Sequence, residues 1–111
     1  MLFRSITYTV NKRYLVLGEA TLDLGTVNNQ STTKVLHLRM NYGDVVLGST
    51  SSGPISSGES VVMRVTGYID TTGESSAPLL AMGVSGQFLS SGVYDNGQVA
   101  ISNNKWVLIE L

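Results

Sequence analysis

Val35-Leu36-His37-Leu38-Arg39-Met40 alternates without a break: Leu36, Leu38 and Met40 fall on one side of an extended chain, Val35, His37 and Arg39 on the other. Successive strand side chains point to opposite faces, so a period of two marks a half-buried β-strand. The same period returns in Val61-Val62-Met63-Arg64-Val65-Thr66, where Val61, Met63 and Val65 oppose Val62, Arg64 and Thr66. Working outward, Ile6, Tyr8 and Val10 alternate with Thr7 and Thr9, and Leu15 shares a face with Leu17. Leu80, Met82 and Val84 alternate past Ala81 and Gly83, and Trp106 and Leu108 oppose Val107, Ile109 and Leu111. No stretch keeps a 3.6-residue apolar period, so the chain is expected to be all-β. The inner-face set is Leu36, Leu38, Met40, Val61, Met63 and Val65; a one-residue slip would expose all of it.

Turn residues bound these runs. Asp95-Asn96-Gly97-Gln98 predicts a two-residue C-terminal hairpin, since Asn and Gly adopt positive φ at little cost. Ser102-Asn103-Asn104-Lys105 reads as a further turn, and Asn28-Asn29-Gln30-Ser31 as the link between strands at 22–27 and 34–40. Residues 48–60, rich in Ser, Gly and Pro, read as a long loop available for docking. The expected fold is one domain over residues 1–111, a two-sheet antiparallel sandwich of about seven to nine short strands, with residues 1–10 as an N-terminal arm or edge strand.

Composition narrows the chemistry. The 111 residues include no Cys, 14% charged residues against about 25% in an average domain, and a net charge of −1. Absent thiols remove disulfide scaffolds, thiolate zinc sites and Fe–S clusters. Near-zero charge argues against a nucleic-acid partner, and the longest apolar runs fall far short of the roughly 20 residues that span a bilayer, so no membrane partner is expected either. The first ten residues lack the unbroken apolar stretch of an export signal, which predicts assembly in the cytoplasm of the producing cell.

A resemblance appears along residues 20–86. Leu22-Asp23-Leu24-Gly25-Thr26-Val27 is followed by a short polar turn and the Thr-rich strand, then Met40-Asn41-Tyr42-Gly43-Asp44. Beyond comes Ile55-Ser56-Ser57-Gly58-Glu59-Ser60 leading into the second long alternating strand. This order resembles the Hydin-type immunoglobulin-like domains, with Ser57 standing where that pattern usually has Pro and the Pro expected after the second strand missing. Residues 1–19 and 87–111 have no counterpart in it. The resemblance implies an immunoglobulin-like sandwich that serves as a binding or structural module, of the kind that decorates tailed-phage particles.

Few residues offer catalysis. His37 is the one histidine, and Gly83-Val84-Ser85-Gly86-Gln87 fails the Gly-x-Ser-x-Gly elbow a serine hydrolase needs. The eight carboxylates are dispersed, most of them beside Gly, Ser or Asn, as turn residues are; Asp70-Thr71-Thr72-Gly73-Glu74 lacks the ligand density of a calcium loop. No catalytic residue, metal ligand or cofactor is therefore expected. The expected role is that of a phage capsid decoration (cement) protein, a homo-oligomer such as a trimer, bound to the major capsid protein or another virion shell protein. The contact residues expected are Phe3, Arg4, Ile6 and Tyr8 in the N-terminal segment and Ser51, Ser52, Pro54 and Ile55 in the 48–60 segment. The alternative is a recognition module, a tail or fibre receptor-binding or carbohydrate-binding domain, for which Tyr42 and Tyr94 are the exposed aromatic candidates.

Overall fold

A computed structural model describes residues 2–26 and 32–111, with side chains from Ser5 onward. The turn expected at residues 28–31 lies outside the described residues. Seven strands follow one another: β1 (Leu2–Ile6), β2 (Arg13–Leu24), β3 (Thr33–Tyr42), β4 (Val45–Ser56), β5 (Ser60–Asp70), β6 (Leu80–Phe88) and β7 (Val99–Glu110). They form a four-stranded sheet in the order β1-β6-β3-β4 and a three-stranded sheet in the order β5-β2-β7, with every pairing antiparallel. The fold is thus the all-β, two-sheet sandwich that period-two alternation requires. β2 to β6 take the immunoglobulin order, β2 beside β5 and β3 between β4 and β6, while the terminal strands exchange sheets: β7 lies beside β2 and β1 beside β6.

The core is one layer between the sheets. Leu36, Leu38 and Met40 of β3, Met63 and Val65 of β5, and Met82 and Val84 of β6 meet Val16, Ala20, Leu22 and Leu24 of β2, all buried, with Val61 packed against them. β2 alternates through its whole length, so Leu15 and Leu17 share the outer face and Tyr14 and Val16 the inner one.

Three segments depart from the sequence reading. Residues 48–56 belong to β4 rather than to a loop, because Ser, Gly and Pro are here the residues of an edge strand and not of a turn. Pro54 sits opposite Val35 on the outermost strand, where a missing N–H costs no ladder bond, and only Ser57-Gly58-Glu59 remains for the turn into β5, with Gly58 at φ 88°. Register shifts between Val35 and His37, and the Leu36 N–H left over there donates to the Ser52 hydroxyl at 2.8 Å. Ser102-Asn103-Asn104-Lys105 likewise lies within β7, as a bulge: the pairing skips between Glu19 and Thr21, and Asn103 takes a left-handed φ of 48°. Asn96-Gly97 does make a turn, closed by Val99 N–H to Asn96 carbonyl at 3.2 Å with Gln98 at φ 60°. It is no hairpin between paired strands, since β6 and β7 belong to different sheets. Turn chemistry specifies a reversal but not the sheet in which the next strand finds its partner.

Candidate functional site

β1 and β4, the two outermost strands of the four-stranded sheet, carry seven of the eight expected contact residues, and Tyr8 follows β1 in the chain. Phe3 and Arg4 stand opposite Gly83 and Met82 in the β1–β6 register. Ile6 and Tyr8 correct the expectation: both pack against the domain's own core. The Tyr8 hydroxyl donates to the Pro78 carbonyl at 2.6 Å, and its ring meets Tyr14 edge-on and Tyr42 at a tilt, with centroids 6.3 and 6.4 Å away. Burial, with the Tyr42 phenol beside it, raises the Tyr8 phenol well above its ordinary value. Ile55 also turns inward, and Ser52 closes the bulge, which leaves Ser51 and Pro54 exposed on β4.

On the outer face of this sheet the fold joins residues far apart in sequence. The Ser51 hydroxyl lies 2.7 Å from His37 Nδ1, and His37 Nε2 lies 3.0 Å from Gln87 Oε1. The Gln87 amide nitrogen donates to the Gly92 carbonyl at 2.9 Å, which fixes the amide oxygen toward His37. In the neutral imidazole this geometry suits a proton on Nε2, donated to Gln87, with Nδ1 accepting from the Ser51 hydroxyl. The Tyr94 ring lies beside the imidazole, with centroids 5.7 Å apart. A hydroxyl on an imidazole is the starting pair of a nucleophilic mechanism, but Gln87 supplies orientation without the negative charge that stabilises an imidazolium. What the chain of bonds does supply is a tie from β4 across β3 to β6. Nothing in the linear sequence joins these three positions.

Lys34 is a residue the sequence reading passed over, although it shares the parity of Leu36, Leu38 and Met40. It is 2% exposed. Its ammonium donates to the Asp95 and Gly97 carbonyls at 2.9 Å each, pairs with Asp95 Oδ1 at 3.3 Å, and lies 4.6 Å from the centre of the Phe88 ring. All three of its protons are thus used to pin the β6–β7 crossover. Lys34→Ala should cost about 2–3 kcal/mol, because it leaves the Asp95 and Gly97 carbonyls without their donor and removes the side-chain stem from the core. The Gly97 N–H, then Lys34, hold the Asp95 carboxyl below the ordinary carboxylate range. The folded chain therefore binds that proton less readily than the unfolded one. The resulting stability is complete above the unfolded pKa of about 4 and is lost as pH falls through the lower folded value. Urea denaturation from neutral pH downward should show a shallower acid loss in Asp95→Asn than in the parent.

The Asp70-Thr71-Thr72-Gly73-Glu74 segment makes turn bonds. Asp70 Oδ1 accepts from Thr72 N–H at 3.0 Å, and Thr71, fully buried, donates to the Lys12 carbonyl at 2.6 Å and accepts from Lys12 N–H at 2.9 Å. Among the described residues no group of three His, Asp or Glu side chains converges to hold a metal ion.

The outer face of the three-stranded sheet is of another kind. Cross-strand register sets Tyr68, Leu15 and Ile109 in one row and Thr66, Leu17 and Val107 in the next. Leu15 is 37% exposed, Ile109 43%, Tyr68 50% and Val107 51%. The row beyond is Arg64-Glu19-Lys105, with Glu19 2.8 Å from Arg64 and 3.8 Å from Lys105; the row at the other end is Asp70-Arg13. The sequence signal for this surface lies in Leu15-Val16-Leu17 and Trp106-Val107-Leu108-Ile109, where apolar residues occupy both strand faces at once. No protein family, curated protein or solved structure matches the chain.

Proposed function

We propose that this chain is a non-enzymatic structural protein that binds a protein shell as an oligomer, in the role of a decoration or cement protein with the major capsid protein as its partner. The carrying observation is the contiguous apolar outer face built from Leu15, Leu17, Tyr68, Val107 and Ile109. Single exposed apolar side chains are ordinary on any domain, whereas adjacent rows of them across three strands mark a surface that binds protein. Support for a virion as the assembly comes from the sequence: the Hydin-type resemblance along residues 20–86 and the low charge. A second reading, a recognition module, is favoured by Tyr94, 65% exposed and set against His37 at the opposite face.

Gradient sedimentation separates the two. The protein should travel with shell particles from the cells that produce it and stay bound from about 50 mM to about 500 mM salt, because buried apolar area is not screened as exposed charge is. Loss of most of the bound protein by about 200 mM salt would instead indicate electrostatic attachment. A protein that stays in the light fraction at every salt concentration contradicts the decoration role.

A further inference from the structure

The geometry points to a second copy of this chain as the occupant of the three-stranded sheet's apolar face, in a two-fold dimer whose register is set by the charged rows at its ends. This rests on the reading of that face as a protein-docking surface and names what covers it. An isologous interface must be self-complementary: each residue that meets a second must be met by it in return. A two-fold axis in the plane of the interface, perpendicular to β2 and passing between the Leu15 and Leu17 rows, lays each strand antiparallel over its own copy. Leu15 then faces the partner's Leu17, Ile109 the partner's Val107, and Tyr68 the partner's Thr66, given the row order of the sheet. Apolar side chains cover apolar side chains, at the roughly 10 Å spacing of packed sheets.

The same operation brings the end rows together. Asp70 comes over the partner's Arg64, and Arg13 over the partner's Glu19, because these residues stand one row outside the apolar pair on β5 and β2. Each pair has opposite charges and forms twice in the dimer. The other two-fold in that plane runs along β2 and lays each row over itself, which sets Arg13 against the partner's Arg13 and Glu19 against the partner's Glu19. Like charges so placed disfavour that arrangement, so the charge pattern both favours one docking and penalises its rival. Glu19 also keeps its neighbours Arg64 and Lys105 within its own chain, which holds its carboxylate on the outer face, ready for Arg13.

Sedimentation equilibrium on the full chain, from about 1 to about 100 µM, tests this. The parent should be a dimer. Val107→Glu, on an exposed position, should raise the dissociation constant about 100-fold by burying an unpaired carboxylate. Asp70→Arg should weaken the dimer about 10-fold, and adding Arg64→Asp should recover most of that loss. A parent that is monomeric throughout overturns the second copy as occupant. If that monomer still travels with particles and Val107→Glu removes it from them, the docking face stands and only its occupant is wrong; if particle binding is also absent, both readings fail. A dimer indifferent to Val107→Glu overturns this surface. A double variant with the parent's melting temperature but no recovery overturns the register.

Discussion

Gly48→Ala should destabilise the domain by about 3 kcal/mol, although it adds a single methyl group to a strand at the edge of a sheet. A Cβ on Gly48 runs into the Thr66 carbonyl oxygen and comes within 3.2 Å of the Val65 side chain. Neither neighbour can yield cheaply. Thr66 is held by its pairing with Leu17, Val65 is part of the core, and Gly48 itself is paired with Met40. The missing side chain is what lets the edge of one sheet close on the edge of the other, β4 on β5. Gly53, on the same strand, has nothing within 4 Å of its Cβ position and is the internal control. Gly53→Ala should lie within about 0.5 kcal/mol of the parent. Urea denaturation of both variants checks this, and equal stabilities would show that β4 and β5 do not approach as described.

Leu38→Ala should cost about 2–5 kcal/mol. Leu38 is fully buried on β3, a strand with a partner on each side, where it stands opposite Val84 of β6 and Thr50 of β4. Ladders on both sides hold the backbone, so the cavity left by the truncation can collapse only in part. The upper half of the range is therefore expected. A denaturation midpoint that falls at unchanged slope is the expected reading; a cost below about 1 kcal/mol would remove Leu38 from the core.

How much was legible differs strand by strand. Leu36, Leu38, Met40, Met63 and Val65 were placed inside by alternation alone and are buried. This works because a strand with one wet face writes its orientation into every second residue. β4 carries no such record. It lies at an edge, its ladder is interrupted twice, and hydroxyls, glycine and proline serve there for reasons of space and backbone bonding. The sheet exchange of β1 and β7 is illegible for a different reason: pairing partners are a property of the whole topology, and Asn96-Gly97 would read the same in a hairpin or a crossover. Of the expected contact residues, Ile6, Tyr8 and Ile55 alternate into the core, so their apolar character reported packing and not docking. The surface that does carry exposed apolar rows was visible in Leu15-Val16-Leu17 and Trp106-Val107-Leu108-Ile109. Their significance depends on β2 and β7 being neighbours, which the sequence does not state.

Particle occupancy of Val107→Glu against the parent, in the same gradient and at equal protein concentration, tests the central claim most directly, namely that the outer face of the three-stranded sheet holds this protein in its assembly. The substitution lies on the surface of an edge strand, 51% exposed, and should move the stability of the isolated domain by no more than about 0.5 kcal/mol. Occupancy should fall at least about tenfold while the melting temperature holds, because a carboxylate would have to be buried without a partner. Equal occupancy of parent and variant would contradict the account.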